Sequence, residues 1–492
     1  MPKADYPDVL ALRYASPEMV ELWAPVQKTI MERQFWIAVM KAQAELGIDI
    51  PAEAIAAYEA VVEQVDLDSI EARELQTKHD VKAKIDEFNA LAAFEYNYHR
   101  DQSGAFSRQL EHIHKGLTSR DLTENVEQMQ IRRSLLLIRD RMVAVLGALA
   151  RRAAEYDELV MAGRSHNVAA QPIVLGKRFA NTGDAMLGVF EHLELLIDSY
   201  PLRGIKGPMG TSQDQLELFG GSAERVQRLE EKVATFLGFD ELLGSVGQVY
   251  PRSLDQRVVG LLDELAAPAA SLATTIRLMA GQELATEGFK PGQVGSSAMP
   301  HKMNARTCER ICGFKKIMTG YLAMASALSG DQWNEGDVSC SVVRRVMLPN
   351  SFFTIDGLLQ AFLTVLRDFG AYPAVIEAEL ERYLPFLSTT KILMNLVQEG
   401  VGREAGHEAI REHAVASALA MREEGQPRND LVDRLAADPR IVVDRAVMES
   451  ALADPFSLTG LASDQVTVFC KKVVRLERQH QEAAAYVPGS IL

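Results

Sequence analysis

An all-α fold of long helices is the class that the sequence predicts, and three observations support it. Apolar residues recur at helical spacing over long stretches, as in the one after Ser119 that carries Val126, Met129 and Val143. The connections are short, and the alternation of apolar and polar residues that marks a half-exposed strand is almost absent. Long helices with short connections are typical of a helical bundle. Because such long helices usually bury more than one face, we also expect self-association.

Three helical domains are expected, because a chain of 492 residues is too long for one simple core. We place an N-terminal helical domain at 1–112, a central long-helix bundle at 113–369 and a C-terminal helical domain at 370–492. Glycine and proline at the start of the last segment mark its boundary.

Capping residues and prolines predict where individual helices begin and end. Ser16, followed by Pro17 and Glu18, predicts a helix start, and Pro25 predicts another. Residues 163–167 are expected to end one helix, and Gln-Pro at 171–172 to open the next.

Composition and charge exclude several functional classes. The chain is 47% hydrophobic and 24% charged, which is typical of globular proteins, and its net charge of −15 argues against nucleic acid as a partner. No apolar run reaches membrane-spanning length and the first residues lack a signal-peptide pattern, so we expect a cytoplasmic protein without a membrane partner. The four cysteines lack zinc-site spacing and no glycine-rich nucleotide motif follows a strand. No metal and no cofactor are therefore expected, and the thiols are expected to be reduced.

Residues 287–304, here called the signature loop, separate two helical patterns. Its glycines and prolines cannot continue a helix, and they flank Ser296, Lys302 and Asn304. A serine can act as a base once its proton is removed, and a lysine with an amide can hold a carboxylate whose charge grows in the transition state. This set suits proton abstraction next to a carboxylate, with Ser297 as the alternative base. A solvated linker is the competing interpretation.

Three histidines beside small polar residues are further candidates. His79, His114 and His166 lie far apart in sequence, so the bundle or different subunits must gather them. Any one of them alone is more often structural than catalytic. Thr118 and Ser119 open a long helix, where they can seat an anion or simply cap the helix.

The run Gly-Ser-Ser-Ala-Met-Pro-His-Lys-Met-Asn closely resembles the signature of the fumarase/aspartase superfamily, with Ala305 where a proline is usual. Nearly the whole chain resembles one family of that superfamily, the adenylosuccinate lyases. The segments that carry this likeness are 13–19, 78–81, 114–121, 164–166, 247–250, 333–345 and 385–391.

The resemblance implies an all-helical homotetramer whose central bundle tetramerises and whose active sites are shared between subunits. It implies cleavage of adenylosuccinate to AMP and fumarate, and of succinylaminoimidazole carboxamide ribotide to its carboxamide and fumarate. Ser296 would be the base and His166 the acid, with Lys302 and Glu309 also catalytic. The implied substrate contacts are Asn304, Thr118, Ser119 and Gln248 at the succinyl group, Arg13, Tyr14, Arg310, Ser341 and Arg345 at the nucleotide, and Lys78, His79, Asp80 and His114 along the substrate.

One position departs from the family pattern. Gly336 stands where the family usually has an arginine that serves the phosphate. Three possibilities stay open: compensation by Arg344, compensation by another residue, or weaker binding of the phosphate. Two alternative functions stay open: another superfamily lyase or carboxymuconate-type cycloisomerase, and a non-enzymatic protein that reuses the fold. An assay for fumarate release separates all three.

Overall fold

The computed structural model describes residues 8–99, 111–288, 299 and 301–489. The protein is 69% helical, which confirms the predicted all-α class. In its first part the helices are α1 Val9–Arg13, α2 Pro17–Trp23, α3 Pro25–Glu45, α4 Ala52–Ala60, α5 Leu67–Thr77 and α6 Asp80–His99. The predicted starts at Pro17 and Pro25 are confirmed.

The middle of the chain supplies the longest helices. Its elements are α7 Ser119–Glu155, β1 Val160–Ser165, β2 Val168–Val174, α8 Gly176–Asp198, α9 Gln213–Leu218, α10 Ala223–Leu237, α11 Ser253–Gly281, β3 Ala285–Thr286, α12 Arg306–Leu328 and α13 Ser339–Asp368. The last part contains β4 Gly370–Ala371, α14 Pro373–Leu387, α15 Thr389–Gln398, α16 Arg403–Glu423, α17 Leu431–Ala436, α18 Arg445–Ser450, a 3₁₀ turn Phe456–Leu458, α19 Ala462–Gln479 and α20 Gln481–Ala484.

The core lies where α7, α8, α11, α12 and α13 pack along one another. Helix α13 is buried on almost every side in its second half, through Phe352, Ile355, Leu359 and Phe362. Burying a side chain of this size contributes roughly 1.5–3 kcal/mol. Helices α11 and α13 are long and apolar enough to cross a membrane by length and composition, but 50% and 83% of their most apolar stretches are buried inside the protein. They are the inner helices of the bundle.

A smaller apolar cluster holds the last part of the chain together, with Ile392, Leu396, Leu431 and Met448 at its centre. Helix α19, by contrast, packs against α7 and α8, where Gly183 leaves room for the Phe469 ring. The domain limits at 112 and 369 stay our proposal.

The segment around residue 166 is a β-hairpin, so the expected helix end at 163–167 and helix start at 171–172 were wrong. Strands β1 and β2 pair antiparallel from Val160–Val174 to Ser165–Val168. His166 and Asn167 form the two-residue turn with φ of 51° and 63°. Both central residues of a type I′ turn need positive φ, which glycine usually supplies. With histidine and asparagine in the turn, the usual hairpin signal is missing from the sequence.

Candidate active site

The predicted site residues lie at two ends of the bundle. Helix α7 has 37 residues and is therefore about 55 Å long. We call the end where α7 begins the first end, and the end where it finishes the second end. The first end holds His79, His114, Thr118, Ser119, Gln248, Ser341 and Arg345; the second end holds His166, Lys302, Asn304, Glu309 and Arg310.

A buried carboxylate organises the start of α7. Asp121 has no exposed surface, and its Oδ2 accepts the N–H of Thr118 at 2.8 Å. Its Oδ1 accepts from Arg203 Nη1 at 2.7 Å and from the N–H groups of Lys206 and Gly207 at 3.0 and 2.9 Å. Thr118 is thus the N-cap residue of α7, and Ser119 is its first helical residue. The expected anion contact of these two residues stays a prediction.

His114 is held just before α7 with a positive φ of 64°. Its Nδ1 accepts a hydrogen bond from Trp36 Nε1 at 3.1 Å, and the two rings meet edge to face. This hydrogen bond places the ring proton of the neutral imidazole on Nε2. Burial lowers the pKa of His114, with a smaller lowering from His79, while Asp121 opposes both. His114 can therefore offer an Nε2–H donor to a ligand.

Lys78, His79 and Asp80 form the exposed link between α5 and α6. Lys78 ends α5 in the left-handed conformation, and His79 Nδ1 accepts the N–H of Lys82 at 3.2 Å, within the first turn of α6. The side chains of His79 and Asp80 are each 55% exposed. The positive charge of His79 lowers the pKa of His114, which places this link near the start of α7.

Gln248 joins this end through the backbone. Its N–H donates to the Glu335 carbonyl at 2.6 Å, and Gly336 follows directly. Gly336 has a φ of 148°, which residues with side chains rarely adopt, and an added Cβ would lie 3.1 Å from that of Gln248. An arginine at position 336 would therefore not readily adopt this backbone conformation. Ser341 is half-buried and Arg345 exposed in the first two turns of α13.

The contacts of Arg344 give no support to it as the substitute for the missing arginine. Its guanidinium is 3% exposed and donates to Asp255 Oδ2 at 2.7 Å, to Glu127 Oε2 at 2.6 Å and to the Tyr250 hydroxyl. Burial alone would raise the pKa of Glu127, but Arg344 and Lys28 lower it to about 2. The hydrogen-bond donors of Arg344 are thus engaged by buried carboxylates, whose charges the cation stabilises.

At the second end, His166 lies exposed at the hairpin turn. Lys302 and Glu309 are exposed, and Asn304 and Arg310 are half-buried, around the start of α12. Ser296 and its alternative Ser297 lie outside the described residues. Within the part of the chain that the structure describes, Glu309 has no hydrogen bond and no ion pair with His166, so the catalytic role that the resemblance implies for Glu309 stays a prediction.

Glu287, the first residue of the signature loop, was missed as a functional candidate. It is 8% exposed, and its two carboxylate oxygens accept the N–H groups of Thr307 and Cys308 at 2.8 Å each. These are two of the unsatisfied donors in the first turn of α12. Glu287 thereby ties the beginning of the signature loop to the helix that follows it. The available sequence signal was a glutamate directly before a stretch rich in glycine and proline.

Arg13 and Tyr14 belong to neither cluster. Arg13 is exposed in the last turn of α1, and Tyr14 packs edge to face on Phe314 at 5.1 Å between ring centres. The absence of a side chain at Gly357 lets α13 approach Tyr14, since an added Cβ would lie 2.9 Å from that of Tyr14.

One chain does not bring the two clusters together. The hairpin that carries His166 begins beyond the end of α7, and its turn lies near Thr182 of α8 and Gln282 after α11. Helix α12 also begins at the second end, because Glu287, six residues after the end of α11, accepts the N–H of Thr307 in the first turn of α12. The acid candidate and Thr118 are therefore separated by most of the length of α7.

Among the described residues, no group of three or more His, Cys, Asp or Glu side chains is arranged to hold a metal ion. All four cysteines are free thiols, two of them buried. The histidine, lysine, arginine and amide groups of the two clusters are of the types that can transfer protons and bind anions.

Similar solved structures match almost the full length. A 3-carboxy-cis,cis-muconate lactonizing enzyme from Pseudomonas putida has a TM-score of 0.78 at 19% identity, with 95% of this chain and 99% of that one covered. A fumarate lyase from Mesorhizobium sp. BNC1 has a TM-score of 0.74 at 19% identity, with 93% and 98% covered. At such low identity these likenesses establish the fold alone, which is a helical one.

Sequence relatives narrow the class. The family model described as "Lyase" matches residues 15–318, and the one described as "Adenylosuccinate lyase C-terminus" matches residues 385–469. The adenylosuccinate lyase of Saccharomyces cerevisiae is 33% identical over 478 residues, which cover 96% of each chain. That of Schistosoma mansoni is 32% identical over 468 residues, 94% of each chain. The chain belongs to the adenylosuccinate lyase family.

Proposed function

We propose that this protein cleaves adenylosuccinate to AMP and fumarate, and succinylaminoimidazole carboxamide ribotide to its carboxamide and fumarate. The observation that carries the proposal is the full-length likeness to adenylosuccinate lyases, which includes the family's C-terminal segment. The proposed substrate is a small molecule and the proposed setting is the cytoplasm. Histidine, lysine and amide groups in both clusters support an elimination that needs one base, one acid and carboxylate contacts.

In the proposed reaction Ser296 takes the β-proton of the succinyl group. The electron pair left on that carbon forms the double bond of fumarate as the C–N bond breaks, and His166 gives a proton to the departing nitrogen. Negative charge grows on the adjacent carboxylate, where Lys302 and Asn304 stabilise it. The position of His166 in a two-residue turn supports this role, because the turn leaves its imidazole open to a ligand.

We further propose a homotetramer whose active sites combine the first end of one chain with the second end of another. The separation of the clusters along α7 supports this, since the reaction needs both in one place. Exposed apolar residues along α12 and α13 supply a surface for association: Ile317, Met324, Val342 and Val346.

The deciding experiment is a steady-state assay with adenylosuccinate in which fumarate is measured directly. We expect turnover of both succinylated substrates and none with 3-carboxy-cis,cis-muconate. Fumarate release should stop in Ser296→Ala, with Ser297→Ala as the matched control. Wild-type protein that is folded but releases no fumarate from either substrate would refute the proposal, and turnover of the muconate would favour the cycloisomerase alternative.

A further inference from the structure

A polar cavity of about 330 Å³ lies at the second end, between the hairpin turn, the start of α8 and the last turns of α11. Its polar lining includes Arg164, Asn167, Arg178, Asn181, Thr182 and Gln282. Of the predicted site residues that the structure describes, none lines it, the proposed acid included. Two guanidinium groups in so small a cavity are unusual, because like charges at short range repel.

The two arginines differ in their partners. Arg164 donates to the Glu379 carboxylate and, at 3.0 Å, to the Asn167 carbonyl. The guanidinium of half-buried Arg178 has no hydrogen bond and no ion pair among the described residues. The Nε of Arg164 is also buried without an acceptor. One carboxylate therefore faces two cations, and several N–H donors lack acceptors.

Burial lowers the pKa of Arg178, and the positive charge of Arg164 lowers it further, although Glu379 opposes both. The protein thus holds a partly desolvated cation beside another cation, an arrangement that costs free energy unless an anion joins it. Arginine's planar fork binds carboxylate and phosphate oxygens through two parallel hydrogen bonds. The amide groups of Asn167, Asn181 and Gln282 supply further donors around the same space.

We propose that this cavity binds a small oxyanion, with Arg178 as its main ligand and Arg164 as the second. Two sources carry that chemistry: a carboxylate such as those of fumarate, and a phosphate group. Asn167 lines the cavity and follows His166 directly, so their Cα atoms are about 3.8 Å apart and the bound anion lies beside the turn that carries the proposed acid. Binding of the anion to this cavity can be measured without following the cleavage reaction.

The test compares full-length wild-type protein with Arg178→Gln, Arg178→Lys and the control Lys177→Gln. Lys177 is the neighbouring residue of α8, and its ammonium group bonds Asn181 and Gln465. Thermal unfolding is followed while fumarate or inorganic phosphate is titrated at constant ionic strength. A ligand that binds only the folded state raises Tm with its concentration.

We expect one of the two anions to raise the Tm of wild type and Lys177→Gln in a saturable manner. The concentration needed should rise at least tenfold in Arg178→Gln, and also in Arg178→Lys, which keeps the charge but loses the fork. The anion that shows this dependence identifies the source. Without anion, Arg178→Gln should melt no lower than wild type, because it removes a repelling charge. Equal titrations in wild type and both Arg178 variants, or no saturable shift with either anion, would overturn the proposal.

Discussion

The two ends of the bundle hold their candidate residues in opposite ways. At the first end, Asp121, Arg203 and Arg344 lie in a buried network of hydrogen bonds and ion pairs, and the backbone around Thr118 and Gln248 is fixed by it. At the second end, His166 and Lys302 are exposed. The first end is therefore held rigidly by buried contacts, whereas the second end presents exposed reactive side chains in the part of the chain that the structure describes.

This difference predicts that substitutions at the first end mainly lower stability and that substitutions at the second end mainly lower catalysis. Replacing a buried group at the first end removes partners that cannot be rehydrated, so stability suffers. Replacing an exposed group at the second end leaves the fold almost unchanged, so only chemistry suffers. A site that joins the two ends gains a rigid binding surface from one chain and an adaptable proton donor from another.

The largest expected effect tests whether the ends meet across subunits. His166→Gln alone should lower kcat by about 10²–10⁴ because the general acid is lost, and Gln248→Ala should weaken turnover from the other end. Mixed tetramers of the two variants contain intact sites if each site combines different chains, so activity should return to about a quarter of wild type. The measurement is fumarate release after subunit exchange verified by mass.

Two results would speak against shared sites. One is unchanged low activity of the mixture after verified exchange. The other is near-normal kcat in His166→Gln, which would remove the acid assignment itself. A mixture of His166→Gln with wild type serves as the control for dilution.

The second prediction contrasts carboxylates at the two ends. Asp121→Asn should lower the free energy of unfolding by about 3–5 kcal/mol, because it breaks a fully buried pair with Arg203. Glu309→Gln, an equal change on an exposed side chain, should change it by less than about 0.5 kcal/mol while lowering kcat. Denaturant unfolding and fumarate assays on both variants measure the contrast. Equal stability losses would contradict the difference between the ends.

The sequence could predict much of this fold because caps and prolines act locally. Ser16, Pro17 and Pro25 set helix starts where expected. The hairpin was missed because His166 and Asn167 take positive φ without a glycine. The ion pairs of Arg344 could not be predicted from the sequence either, because its partners Asp255 and Glu127 come from two other helices. The candidate site residues lie at opposite ends because of the directions in which the long helices run. The residue types at the site do not reveal those directions.

A third, smaller effect concerns Glu287, a buried carboxylate that anchors the start of α12 at the second end. Glu287→Ala removes the acceptors of two helix-start N–H groups and should cost about 0.5–2 kcal/mol, the usual range for a helix cap. Because Glu287 begins the signature loop, kcat should fall as well, whereas Glu283→Ala, a nearby exposed change outside the loop, should alter neither. Unfolding curves and kcat are the readouts. Full stability and full kcat in Glu287→Ala would contradict the anchoring role.

The smallest expected effect is a pH dependence at the first end. Burial lowers the pKa of His114, so the folded state favours the neutral imidazole that accepts from Trp36. The unfolded chain then binds more protons between the lowered pKa and the ordinary value of 6.5, and stability rises with pH across that window. The contribution of His114 is therefore complete above the ordinary value and lost as pH falls through the lowered one.

His114→Gln cannot titrate, so the stability difference between wild type and the variant should shrink from pH 7.5 to pH 5. Denaturant unfolding at both pH values measures that difference. Gln248→Ala, which removes no titratable group from the first end, is the control and should show a stability difference that does not change with pH. A stability difference for His114→Gln that stays constant or grows on acidification would show that the imidazole at the first end is not held neutral.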